Sequence, residues 1–181
     1  MAFTISEFRA AFPKGIARPN LWDASLSVVS TGLREEPEFF TFRCEKAEIP
    51  GRTVATVDDI GSGPALKFPY EINYNDMEIT IICGTDMTER YYFESWIDSI
   101  IIPGSFEGNS QTSGLVRYYE DFARGNSLQL RQIDEQGDTI LKYTLRDVYP
   151  IQIGPMNLSW EEVNTYQRFN VTLNYRYYEY E

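Results

Sequence analysis

The sequence predicts a mainly β protein, an antiparallel β-sandwich or partly closed barrel with one flanking α-helix. Apolar residues recur at every second position in several separate stretches, which is the spacing of half-buried strands. Only residues 86–102 carry a long apolar stripe at helical spacing. Pro and Gly punctuate the chain between these stretches, as turns require. The 181 residues fit one hydrophobic core, since chains divide only beyond roughly 250 residues. Residues 1–181 are therefore read as one domain, with an N-terminal arm over 1–24, an extended loop or hairpin over 45–65 and the helix over 86–102.

Thr4 and Glu7 have capping-box spacing ahead of Ile5, Phe8 and Phe12, predicting a short amphipathic helix that Pro13 and Gly15 end. SLSVVST, from Ser25, reads as a short strand. In EFFTFRCEKAEI, residues 38–49, Phe40, Phe42 and Cys44 fall on one face of a predicted strand, which Pro50-Gly51 breaks. Arg52 to Pro64 is rich in Gly, Thr and Asp, an excursion before LKFPYE, where Leu66 and Phe68 alternate until Pro69 interrupts. Met77, Ile79, Ile81 and Cys83 line one face of the next strand. In the helix, Asp86 is the expected cap with Glu89 reaching back, and Phe93, Trp96, Ile97, Ile100 and Ile101 form the stripe. SFEGNSQTSG, from Ser105, has turn chemistry and reads as a loop. Leu128 and Leu130, then Leu141, Tyr143 and Leu145, predict a hairpin that turns at Gly137. Finally Phe169, Val171, Leu173, Tyr175 and Tyr177 alternate through one long strand.

Side-chain chemistry narrows the function. Sixteen Lys and Arg against 27 Asp and Glu give a formal charge of −11, the opposite of a phosphate-binding surface. No apolar run approaches the roughly 20 residues of a membrane-spanning helix. Glu7 and Arg9 interrupt any secretory-signal core, so synthesis without export is expected. The sequence contains no histidine, which removes the commonest general base and metal ligand, and it has no CxxC, HExxH or GxSxG arrangement. No metal, cofactor or catalytic residue is therefore expected. Cys44 and Cys83 read as small core residues. Asp58-Asp59 and Glu161-Glu162 leave a carboxylate hydrolase formally open, and Trp22, Trp96, Trp160 and the C-terminal tyrosines leave open a monomeric carbohydrate-binding module. The excess of Tyr and of Arg over Lys favours subunit contacts instead.

Several ordered blocks then carry a family resemblance: FRCEKAEIPGRT, GPALKFPYEINYNDMEITIICGTDMTERYYFESWIDSI, LKYTLRDVYPIQIGPMNLSW and RFNVTLNYRYYE. Together they resemble the tail tube proteins of contractile-tailed, myovirus-type bacteriophages, which are related to the tube proteins of type VI secretion and phage-like bacteriocins. The resemblance implies a subunit whose strands join those of its copies into a hexameric barrel, with rings stacking into a tube. The implied partners are further copies of the chain, the contractile sheath, the baseplate or tube initiator and the tape-measure protein, with DNA passing without specific binding. Also implied are a virion location after assembly in the bacterial cytoplasm, and no membrane insertion. A bacteriocin or secretion-system tube is the related alternative.

On that resemblance, Ile49, Pro50, Gly51, Arg52, Asp58 and Asp59 are the expected contacts between stacked rings. Phe3, Phe8 and Phe12 would dock the arm on a neighbour. The strands over 38–48, 66–72, 127–133 and 139–147 are expected to line the channel, with Arg43, Glu45, Gln129, Arg131, Lys142 and Thr144 facing it.

Overall fold

Thr4 and Glu7 form the expected reciprocal cap: the Thr4 amide donates to Glu7 Oε2 at 2.9 Å and the Glu7 amide to Thr4 Oγ1 at 3.3 Å. The helix they open, α1, spans Ile5–Ala10. This computed structural model describes residues 4–12, 16–29, 33, 37–59, 63, 66–102, 106–107, 110–111, 114–161 and 165–181. Phe3, Pro13 and Gly15 lie outside them.

After α1 come β1 (Trp22–Ser27), α2 (Glu38–Arg43), β2 (Cys44–Ala47), β3 (Arg52–Asp59), β4 (Leu66–Tyr74), β5 (Met77–Ile82) and α3 (Thr88–Ile100). Four two-residue strands follow: β6 (Ile101–Ile102), β7 (Phe106–Glu107), β8 (Ser110–Gln111) and β9 (Leu115–Val116). The chain ends with α4 (Tyr119–Phe122), β10 (Ser127–Ile133), β11 (Thr139–Arg146), β12 (Tyr149–Ile153), β13 (Arg168–Asn174) and β14 (Tyr177–Tyr180).

Two four-stranded antiparallel sheets carry the fold, ordered β1-β10-β11-β14 and β12-β13-β5-β2. Ala24, Leu26, Leu128, Leu130 and Leu145 of the first sheet share one core with Met77, Ile79, Ile81, Phe169, Val171 and Leu173 of the second. α3 adds Tyr92, Phe93, Trp96 and Ile100 to that core, with the Phe93 ring 6.1 Å from the rings of Trp96 and Phe169. The hairpin turn is as expected, with Gly137 at φ 92.

The structure corrects the sequence reading at six places. The helix ends at Ile100, so Ile101, expected in its apolar stripe, opens β6 and is exposed. Residues 38–43 are helical rather than extended: Phe40 is fully buried while Phe42 is 88% exposed, so they do not share a face. Packing of Phe40 overrides the strand preference of these aromatics. Among the described residues, 66–74 pair only with β3, so 66–72 belongs to the extended hairpin rather than to a main sheet. The predicted long C-terminal strand is two strands in different sheets, because the chain bends at Arg176 and Tyr178 rather than Tyr177 turns inward. β1 starts at Trp22, inside the stretch assigned to the arm. Finally, Met87 at φ 52, not Asp86, stands just before α3, and Glu89 accepts from the Gly84 amide instead of reaching back to Asp86.

Candidate assembly surfaces

Alternation in the first sheet sends Leu128, Leu130 and Leu145 inward, so the residues between them face away from the core. Register then sets Gln129 opposite Thr144 and Arg131 opposite Lys142, bringing these expected channel residues onto one outer face. β1 adds Asp23 opposite Arg131 and Ser25 opposite Gln129, and β14 adds Glu179 opposite Thr144. Arg131 holds Asp23 through two bonds, Nε to Oδ1 at 2.8 Å and Nη2 to Oδ2 at 2.6 Å. Lys142 Nζ lies 3.2 Å from Glu181 Oε2, and Arg146 Nη2 2.9 Å from Glu179 Oε2.

Two of the expected channel residues are elsewhere. Glu45 belongs to β2 of the other sheet, where it accepts from Tyr166 Oη at 2.6 Å and faces Arg168 at 3.5 Å. Arg43 closes α2, with its guanidinium on the fully buried carboxylate of Glu89. Glu89 Oε2 also accepts the Gly84 amide at 3.1 Å, so the pair ties α2 to the start of α3.

The sheet edges differ in their capacity to pair further. β12 contains Pro150 beside a register shift, and β2 has a register shift between Cys44 and Lys46. A missing N–H and a bulge both blunt an edge. β1 and β14 have neither along their pairing with β10 and β11. Backbone bonds in both directions between Lys142 and Glu181 set the β14 pattern, which turns the peptide groups of Tyr178 and Tyr180 away from β11. The bond from Ile133 N to Leu21 O does the same for Trp22, Ala24 and Leu26 of β1. On both edges the outward-pointing peptides therefore belong to residues on the inner side of the sheet, with Ala24 and Leu26 buried and Tyr180 exposed beyond the core. Joining the two edges would keep polar rows with polar rows.

The β3–β4 hairpin presents a third surface. Leu66, Phe68, Tyr70, Ile72 and Tyr74 recur at every second position of β4, but Tyr70 is the extra residue of a bulge, so Leu66 and Phe68 lie on one face and Ile72 and Tyr74 on the other. Val54 pairs with Ile72 and Val57 with Phe68, and because β3 runs without an extra residue these two apolar pairs project from opposite faces of the hairpin. The sequence hid this pattern because Pro69 reads as a break, whereas it stands beside the bulge on a strand with only one partner. Val54, Val57, Leu66, Phe68, Tyr70 and Ile72 are all exposed.

The expected ring contacts occupy opposite ends of this hairpin. Ile49, Pro50, Gly51 and Arg52 lie at its base, where the Arg52 guanidinium carbon stands 5.9 and 5.8 Å from the Tyr178 and Tyr180 ring centres. Asp58 and Asp59 lie at its tip, about 24 Å away at strand rise. Phe8 belongs to α1, and Phe12 just beyond it is exposed, as is Ile5.

Burial pushes the Cys44 thiol up to about 12, far from the range of a nucleophile. Among the described residues, no group of three or more His, Cys, Asp or Glu could hold a metal ion. Trp96 is fully buried and Trp160 fully exposed, while Trp22 lines a cavity of about 210 Å³ with Ile49, Leu130, Leu141 and Tyr143. Tyr175 is buried and meets Tyr74 and Tyr178 edge-on or tilted. These rings do not make one stacking platform.

A family model described as phage tail tube protein matches residues 5–181. Tail tube protein gp19 of Enterobacteria phage T4 is 25% identical over 177 residues, covering 97% of this chain and 99% of its own. Its counterpart from Enterobacteria phage T6 has the same identity and coverage. Among solved structures, a chain of the anti-feeding prophage baseplate matches with a TM-score of 0.64 at 10% identity, covering 93% of this chain and 97% of its own. A chain of the sheath-tube complex of an extracellular contractile injection system, in its extended state, matches with a TM-score of 0.51 at 14% identity, covering 99% of both chains.

Proposed function

The chain belongs to the phage tail tube protein family, and from that premise we propose that it assembles into hexameric rings through the free edges of the first sheet. The observation that carries this reading is the match between those edges. Each copy contributes β1, β10, β11 and β14 in strictly alternating direction, so β14 of one copy meets β1 of the next antiparallel. Cyclic repetition closes the barrel and leaves no unpaired edge. Its polar face, with Gln129, Arg131, Lys142 and Thr144, then lines the channel.

The hairpin supplies the contact between stacked rings. An isolated two-stranded ribbon is marginal in water, and one that exposes Val54, Val57, Leu66, Phe68, Tyr70 and Ile72 calls for cover. A neighbouring copy supplies it, with Ile49, Pro50, Gly51 and Arg52 seated at one end of the contact and Asp58 and Asp59 at the other. Phe3, Phe8 and Phe12 of the arm dock on an adjacent copy in the same way.

The resulting tube sits inside a contractile sheath, starts on a baseplate or initiator, holds the tape-measure protein and later conducts DNA. It has no catalytic role, and it is assembled in the host cytoplasm before becoming part of the virion tail. Purified protein at high concentration should form uniform hollow rods or stacked rings by negative-stain electron microscopy. A protein that stays monomeric at every concentration refutes the reading.

A further inference from the structure

If the outer face of the first sheet lines a channel that DNA traverses, its cations are the groups that could stop the cargo. Each phosphate that meets a free Lys or Arg releases counterions and adds affinity, and repetition around a ring multiplies the effect. Arg131, Lys142 and Arg146 are the cations that the alternation of β10 and β11 places on this face. Each faces a carboxylate supplied by a neighbouring strand or the residue just after it: Asp23 from β1, Glu181 beyond β14 and Glu179 from β14.

We infer that Asp23, Glu179 and Glu181 are functional residues of the channel, acting as built-in counterions that keep its wall from retaining double-stranded DNA. The inference rests on the tube reading above. Surface pairs of this kind contribute little to stability. Their consequence is electrostatic. The face carries cations and carboxylates in equal number, so a phosphate meets each of the three with a carboxylate already held on it at 2.6–3.2 Å and must compete with that carboxylate. The bidentate Asp23 pair is the hardest to displace, because its fork geometry matches that of an Arg–phosphate contact. The protein's net charge of −11 repels DNA at long range, whereas these pairs act at contact distance, where the cargo slides.

The test uses assembled tubes and a labelled duplex of about 20 base pairs, short enough to enter the channel, with retention read by co-sedimentation at about 50 mM salt. Wild-type tubes should retain only background DNA. The triple variant Asp23→Asn/Glu179→Gln/Glu181→Gln should retain at least about tenfold more, with the gain lost as salt rises. A control that removes the same charge elsewhere, Glu94→Gln/Asp98→Asn/Glu161→Gln, should stay at background. The exchanged pair Asp23→Arg/Arg131→Asp should also behave as wild type. Should the triple variant not assemble, Asp23→Asn alone exposes one guanidinium per copy and should give a smaller gain in the same direction. Tubes of either unmasked variant that bind no more DNA than wild type overturn the inference. So does equal retention by the control, which would make net charge the cause. Microscopy of the same samples separates the two readings, because wild-type protein without tubes refutes the tube itself.

Discussion

Asn126 shows how much one buried side chain can organise. Its Oδ1 accepts the Val29 amide at 2.9 Å, and its Nδ2 donates to the Phe122 carbonyl at 2.8 Å and the Val148 carbonyl at 3.1 Å. Three segments distant in sequence are thereby satisfied by one amide, which nothing in the local sequence announces. Asn126→Ala should cost about 2–4 kcal/mol by leaving buried backbone groups unpaired, as read by chemical denaturation of the subunit. The Arg43–Glu89 pair is comparable, because removing only the arginine strands a fully buried carboxylate. Arg43→Ala should lower stability by about 3–5 kcal/mol, and the double variant Arg43→Met/Glu89→Met by clearly less. At the arm, the hydrogen bonds from the Thr4 amide and hydroxyl hold the Glu7 carboxyl below its usual range. A depressed folded-state pKa means that its contribution is present above the unfolded value and lost as pH falls through the folded one. Amide exchange across Ile5–Ala10 should therefore accelerate on acidification through that window, and Glu7→Gln should abolish the dependence.

At the scale of the element, edges and faces separate folding from assembly. The Tyr180 peptide points away from β11, so Tyr180→Pro removes a donor from the proposed seam without breaking a ladder bond inside the subunit. It should abolish rings while leaving the melting transition close to wild type; rings that persist would place the seam elsewhere. The hairpin face offers the parallel case. Ile72→Asp is exposed in the subunit and should change its stability by no more than about 0.5 kcal/mol. Stacking into rods should nevertheless fail, visible as isolated rings by microscopy.

For the whole molecule, the two sheets are interleaved along the chain. The path runs from β1 in one sheet to β2 and β5 in the other, returns through β10 and β11, crosses to β12 and β13, and returns again to β14. Neither sheet is contiguous in sequence, so the halves are expected to unfold together. Assembly must also bring together copies that each carry −11. Raising ionic strength from about 0.01 to about 0.15 M shortens the screening length from about 30 to about 8 Å and should speed assembly, measured by light scattering at fixed protein concentration. Slower assembly in salt would mean that attraction between charges, rather than apolar cover and strand pairing, holds the copies.

The alternation of Met77, Ile79 and Ile81, the stripe of Phe93, Trp96 and Ile100, the Gly137 turn and the Thr4–Glu7 cap were all readable locally, because a residue's neighbours in sequence share its pleat or helical face. The ordered blocks likewise carried the family. Tertiary structure alone decided that residues 38–43 wind into a helix, that the C-terminal strand divides between sheets at Arg176, and that β4 belongs to a hairpin with exposed apolar side chains. It also decided which four of the six expected channel residues share a face and which carboxylates neutralise the cations there. The physical reason is range: periodicity says that a segment has two faces, but partners, register and the sheet that a face joins depend on contacts between residues up to about a hundred positions apart, such as Asp23 and Arg131.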